Sequence, residues 1–505
     1  MSKPSRRPNR EELKQQRRHR KKQQRELRAQ QEAEGFIPHR SPATPNATSS
    51  LSSVSEEEDA RLEAVTGQVR IFKHQLPKLL KDLEKIPNPR DPHKTKHKLT
   101  VLLLYGLLMF VFQFSSRRAV NKEMTEPQFK ENLRLLFPEL EDLPHADTLF
   151  RLLRDIEVEK IEQAHIELVR RLIRGKKFRR YLINNCYPIA IDGSQKAAGD
   201  TLWEPELLQR TIGKGENAHT QYYVYVLEAN LAFHNGMVIP LLSEFLEYEK
   251  GDSERNKQDC ETRAFHRLAK RIKSFFPRLP ILLLLDGLYA KGPIMERCEQ
   301  YNWQFMIVLK DKDLKTVWRE VDGLRPLQCN NNHSRIWGNR HQRFWWVNDI
   351  EYHYQGKSVR IHVVVCEEEW ENVNSDDETV AKTSRHVWIS SRPLNRNNVH
   401  ERCNLGARYR WGIETSFLVE KHQGYQYEHL FARNWNAMRG YHYLMRMAHV
   451  FNTLARFSSH LAALYREKGV RGAIHFIRQT CAAPWFKNKQ RILELLQRPL
   501  RLQFE

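Results

Sequence analysis

The sequence predicts a layered α/β core, interrupted by a β-rich stretch and flanked by helical regions. Three observations carry this reading. The run PILLLLDG (280–287) is short and apolar throughout, as a strand buried on both faces must be. The segment QYYVYVLEANLAF, HNG, MVIPLLSEFL is two strand-like runs around Asn235-Gly236, a hairpin signature. Amphipathic helices alternate with these strands, as in KQDCETRAFHRLAKRIKSFF and PIMERCEQ, so helices must cover the sheet.

The elements follow in order. Residues 1–59 form a basic tail and a Ser/Pro/Thr linker. The first 34 residues hold twelve Lys or Arg against five acids. They favour helix by propensity but lack an apolar stripe, so the tail reads as disordered or nascent helix. It either binds phosphates or is simply solvated. Residues 60–182 read as helices that either present Lys and Arg to DNA or carry an ordinary solvated face. Residues 183–311 hold the first part of the core: the strand CYPIAIDGS, the hairpin, a helix, PILLLLD, a second helix and WQFMIVL. Residues 312–396 are β-rich and Trp-bearing, with EEEWENVNSDDETV expected as a loop between strands. Residues 397–430 hold a core helix, and 431–505 are helical again.

Composition narrows the function. A net charge of +22 on 505 residues points to a polyanion, nucleic acid first and an acidic membrane surface second. The seven cysteines form no CxxC pair and are odd in number, which disfavours a disulfide framework or zinc ribbon and suits a reducing cytoplasm. The most apolar run, LTVLLLYGLLMFVFQF, falls short of the roughly 20 residues a membrane span needs, so it reads as a buried core helix.

The chemistry lies in three carboxylates. Asp192 (IAIDG) and Asp286 (LLLLDG) each end an apolar strand and precede a glycine. A buried strand ending in a charge needs a partner for that charge. If the two strands are neighbours, two carboxylates meet at one edge and repel unless they share a proton or a cation. An Asp in that place can also cap the next helix. In RYRWGIETSFLVEKHQG, read as a helix at 100° per residue, Arg410, Glu414 and Lys421 fall at about 0°, 40° and 20°, on one face. Glu420 falls at about 280°, off that face. An acid between two bases suits a place where metal and phosphate meet. Asp259 and Glu261 in KQDCE read as a solvated helix start.

These motifs resemble the DDE transposases with an RNase H-like core. In that family one Asp follows the first strand, another follows the fourth, and a Glu lies on a later helix. RWGIETSFLVEK resembles the R-x3-E-x6-K part of the Y-R-E-K signature of bacterial insertion-sequence transposases, the group numbered four. The signature Tyr would stand at 407, which is Ala here; Tyr409 is nearby at another helical angle. The resemblance implies that Asp192, Asp286 and Glu414 are catalytic and bind two Mg²⁺, for which Mn²⁺ would substitute. It implies that Arg410 and Lys421 hold DNA phosphate. Its substrates would be double-stranded DNA, both the element's terminal inverted repeats and the target, cut and pasted by a homodimer or larger assembly in a bacterial cytoplasm, at the nucleoid and not at a membrane. A Trp of the β-rich insertion holds a flipped base in some members, making Trp337, Trp345 and Trp346 candidates, although Trp in strands is commonly core. A catalytically inactive DNA-binding relic and an RNase H-like metal-dependent nuclease are the alternatives.

Overall fold

The computed structural model describes residues 10–33, 49–140, 142–248, 259–373 and 379–504. Helices come first: α1 (Arg10–Ala33), α2 (Val54–Glu84), α3 (Leu99–Val111), α4 (Arg117–Met124), α5 (Pro127–Leu136), α6 (Ala146–Asp155) and α7 (Val158–Arg174). Side chains stop the backbone donors at their starts from being orphaned: Ser53 caps α2 and Ser116 caps α4. The apolar run beginning at Leu99 is α3, which is buried on every side. No helix among the described residues is long and apolar enough to cross a membrane.

Ten strands then build one sheet: β1 (Tyr187–Gly199), β2 (Leu208–Ile212), β3 (His219–Ala232), β4 (Val238–Leu246), β5 (Ile281–Leu285), β6 (Gln304–Val308), β7 (Asn332–Trp337), β8 (Arg340–Tyr354), β9 (Lys357–Val373) and β10 (Thr379–Ser390). Between them lie α8 (Glu261–Phe275), α9 (Gly292–Gln300) and α10 (Lys315–Leu324). The order is β2-β3-β1-β5-β6-β10-β9-β8-β7, with β4 sharing the β3 edge used by β2. The β1–β5 and β5–β6 pairs are parallel and the others antiparallel. The mixed α/β class is therefore as the sequence predicts, and β3 and β4 form the expected hairpin, with Gly236 at φ +84° in its turn. The chain closes with α11 (Trp411–His422), α12 (Trp435–Phe457), α13 (Ala462–Ala482, broken at Gly469) and α14 (Lys489–Gln497). Buried α12 packs against α3, α6, α7 and β4, joining the N-terminal helices to the sheet.

The structure departs from the sequence reading in four places. β1 does not stop at Asp192 but runs on to Gly199, because β3 stays paired with it to that point, across a bulge at Lys196. Much of the acidic stretch expected as a loop is strand: β9 extends to Val373, β10 begins at Thr379, and their ends pair with each other. The remainder, 374–378, lies outside the described residues. β2 and α10 were not expected. Residues 10–33 form a complete helix, α1, of 24 residues.

Candidate active site

Register brings the two aspartates level. β1 and β5 run parallel with Ala190 opposite Leu284, the last pair of their ladder; continuing that register two residues brings Asp192 level with Asp286, whose charge acts on it. Side chains alternate along a strand, so Ala190 and Asp192 share a face, as do Leu284 and Asp286. That face is identified by its packing. Ala190, Leu282 and Leu284 form an apolar cluster with Ile413 and Phe417 of α11. Both carboxylates therefore emerge on the side covered by α11, Asp286 just past the end of β5 and Asp192 within β1 where its pairing with β5 stops. Glu414 follows Ile413 on that helix and its side chain is 39 % exposed.

Arg410 ties the third carboxylate to the first. It closes a short 3₁₀ turn just before α11, so the predicted helix begins one residue later than Arg410. Its guanidinium donates to Glu414 Oε1 at 2.8 Å and lies 3.6 Å from Asp192 Oδ2. Asp192 also accepts from Gly193 N–H at 2.9 Å. Burial, together with the like charges of Asp286 and Glu414, outweighs Arg410 and pushes the Asp192 carboxyl up to about 6. Asp286 does act as a cap: Oδ1 accepts from Leu288 N–H at 2.9 Å in a 3₁₀ turn. Capping and siting at the sheet edge are thus compatible roles of one side chain.

Of the two glycines after the aspartates, Gly193 is forced by packing, whereas the neighbour at Gly287 is the end of a flexible lysine that can move aside. A Cβ on Gly193 would lie 2.4–2.8 Å from the Tyr225 ring, and one on Gly287 would lie 2.9 Å from Lys310 Cε. Tyr225 in turn donates to Glu261 Oε1 at 2.7 Å, and Tyr289 donates to Glu261 Oε2 at 3.1 Å. Glu261 is therefore not a solvated helix start. It is the shared acceptor for two tyrosines that flank the aspartates, at the first turn of α8. The sequence hint was Tyr289, three residues past Asp286.

The other predicted site residues divide. Lys421 pairs with Glu428 at 2.9 Å and lies over the Tyr427 ring, so the structure does not bring it to Glu414. Trp345 is half-buried, with Arg325 stacked 3.9 Å from its ring centroid. Trp346 points the other way and is 3 % exposed among Phe344, Val364 and Trp388. That burial corrects the expectation that Trp346 faces DNA; it is core. Trp337 carries the Arg408 guanidinium 5.0 Å from its ring centroid. Trp411, which no spacing argument singled out, is 63 % exposed beside Arg410. With Lys310, Arg340, Arg385, Arg408 and Trp388 it lines a groove of about 600 Å³ that reaches Arg410.

Behind the site lies a buried ionic network. Glu228, the register partner of Asp192 on β3, is fully buried. It accepts from Ser243 Oγ at 2.6 Å and sits 3.2 Å from both His442 and Arg446. Arg446 also donates to Glu420 at 2.9 Å, and His449 contacts the same oxygen at 2.7 Å. Burial alone would raise the Glu420 carboxyl, but Arg446 and His449 more than offset it and hold it low. Glu420 thus fastens α11 to α12 from inside, and its position off the shared face is as the helical angles predict.

The donor set fits a hard cation. Three carboxylates are acceptors only, and a guanidinium already supplies positive charge between two of them. Among the described residues, no three His, Cys, Asp or Glu side chains converge closely enough to hold a metal ion as they stand. A bound cation therefore requires Arg410 to release Asp192, Glu414 or both.

Residues 209–451 match the family model of the transposase DDE domain. Residues 80–169 match that of a domain associated with it, here α3 to α7 with the end of α2. The first match holds Asp286, Glu414 and the strands that flank Asp192, while Asp192 lies before its start. No curated protein matches the chain.

Proposed function

On the premise that the chain carries a transposase DDE domain, and is therefore an enzyme of DNA cleavage and strand transfer, we propose that Asp192, Asp286 and Glu414 are its catalytic carboxylates. One observation carries the assignment. The parallel register sets the two aspartates level on the face that α11 covers, and Arg410 bridges Asp192 to Glu414 on that helix. Among the core strands β1, β3, β4 and β5, the second Asp follows the fourth, which supports an RNase H-like core. We read 312–396 as an insertion into that core, 60–182 as the region that recognises the element's ends, and 431–505 as a helical support.

Two Mg²⁺ ions held by these carboxylates, or Mn²⁺ in their place, would activate the attacking oxygen and stabilise the leaving one. The chain's own groups do the rest. Asp192 and Asp286, fixed by backbone N–H donors from Gly193 and Leu288, present oxygens at a rigid sheet edge. Arg410, released from the carboxylates, turns its fork to a phosphate oxygen, for which its geometry is suited. The basic groove from Lys310 to Arg408 carries the DNA backbone to the site, with Trp411 at hand for bases; Trp345 stands outside it. Lys421 reaches phosphate by exchanging Glu428. The reaction is cut-and-paste movement of the protein's own insertion sequence, by a dimer or larger assembly joining two inverted-repeat ends, in the cytoplasm at the nucleoid.

Strand cleavage tests this. The protein is incubated with a fragment carrying the gene's own flanks, in Mg²⁺, Mn²⁺ or EDTA, beside Glu414→Gln. Symmetric, metal-dependent nicks that vanish in the variant are expected. Binding without nicks in any metal identifies the inactive relic. Metal-dependent nicks without joining to target identify a nuclease.

A further inference from the structure

We propose that α1 is a second, non-specific binding rail for the phosphate backbone of duplex DNA, presented by the β8–β9 end of the sheet. This rests on DNA being the substrate, but not on the assignment of the catalytic residues.

Helical geometry separates two faces of α1. With Lys14 at zero, Arg18, Lys21 and Arg25 fall at about 40°, −20° and 20°. These four cations form a stripe about 16 Å long at 1.5 Å rise per residue. All four are exposed. Glu12 and Glu26 fall well away, at about 160° and 120°; Glu11 borders the stripe at its first turn, and Glu32 falls in line with it at about 0°, roughly two turns beyond Arg25.

The other face docks. Arg20, Gln24 and Gln31 fall at about −120°, −80° and −100°. Arg20 makes a two-point ion pair with Glu371 of β9, at 2.7 and 2.9 Å. Gln31 donates to Ile336 O and accepts from Gly338 N–H in the β7–β8 turn. Gln24 and Gln31 are partly covered there, while the cationic stripe is turned away from the sheet.

A solvated helix without an apolar stripe gains little from folding alone. Polar latches on the inward face hold this one, and the charge is left on the outward face. A row of cations spaced 4.5–6 Å apart along an axis, with no apolar or aromatic readout between them, matches a phosphate backbone and cannot choose a base sequence.

Salt-dependent binding to a duplex unrelated to the element is the test, measured by fluorescence anisotropy between about 50 and 300 mM salt. The variant Lys14→Gln/Arg18→Gln/Lys21→Gln/Arg25→Gln should flatten the slope of log K against log salt by two to four, at about 0.9 per lost phosphate contact. Its affinity near 100 mM salt should fall at least tenfold. A charge-keeping variant, Lys14→Arg/Lys21→Arg, should keep both. Nicking at saturating protein should not change, because none of the four residues lies at the carboxylates. An unchanged slope overturns the proposal. So does a loss of binding to anionic phosphatidylserine vesicles while duplex binding holds, which would make the stripe a membrane contact. If the wild type shows no salt-dependent duplex binding, the DNA premise fails with it. If binding behaves as expected but nicking is absent, only the catalytic assignment fails.

Discussion

Replacing Asp192 with Asn should make the protein more stable as it destroys its chemistry. The Asp192 carboxyl is raised from 3.8 to about 6, chiefly by burial. The folded state then holds a proton that the unfolded chain has already released, so between those values stability falls as pH rises. At about 1.36 kcal/mol per unit the cost reaches roughly 3 kcal/mol above pH 6 and is absent below pH 4. Asn carries no charge and escapes it, apart from losing the 3.6 Å contact with Arg410, so about 1–3 kcal/mol should be recovered. For a chain this long that is a rise in Tm of a few degrees. Thermal melts in EDTA from pH 4 to 8 would read it: a gain at pH 8 that disappears at pH 4, with no nicking at any pH. A gain that is absent at pH 8, or equal at both ends, would refute the claim that Asp192 is held in electrostatic strain.

Glu420→Ala removes the partner of buried Arg446 and His449 and should cost about 3–5 kcal/mol. Glu414→Gln, on an exposed face, should leave the melt within about 0.5 kcal/mol of wild type; circular dichroism separates the structural glutamate from the chemical one. Arg410→Lys should lower nicking more than tenfold with little change in Tm, since an ammonium cannot offer a phosphate oxygen the two-point fork that the released guanidinium does. Gly193→Ala drives a methyl into the Tyr225 ring and should destabilise by about 1–3 kcal/mol. If instead it is silent by melt and by activity, the Tyr225–Glu261 contact does not brace the strand.

How much of the fold is legible in the sequence depends on how far each signal reaches. PILLLLDG announces itself because a strand buried on both faces must be apolar over its whole length. The β3–β4 turn is equally local, as Asn-Gly settles it. The continuation of β1 past Asp192 is hidden because its inward side chains include Ser194 and Lys196, and buried Lys196 is satisfied by Tyr427 O, far along the chain. Glu228 and Arg446 look like surface residues until α12 is laid on β3. Trp345 and Trp346 could not be told apart, because alternation says they face opposite ways but not which way is in. The outer end of β9, Trp370–Val373, is strand only because Thr379–Lys382 of β10 pairs with it, and nothing in the local sequence announces that pairing.

The antiparallel contact between β6 and β10 has a consequence for how this architecture can vary. Val308 and Trp388 are register partners, so the chain leaves the central sheet and comes back to within one strand spacing of where it left. Everything between them is, in topology, an enlarged hairpin loop. Lengthening, trimming or exchanging that excursion leaves the ladder beneath Asp286 unbroken, because the two ends already meet. A lineage could therefore rebuild the excursion for a new substrate without touching the chemistry, and a protein engineer could close the same gap with a short turn.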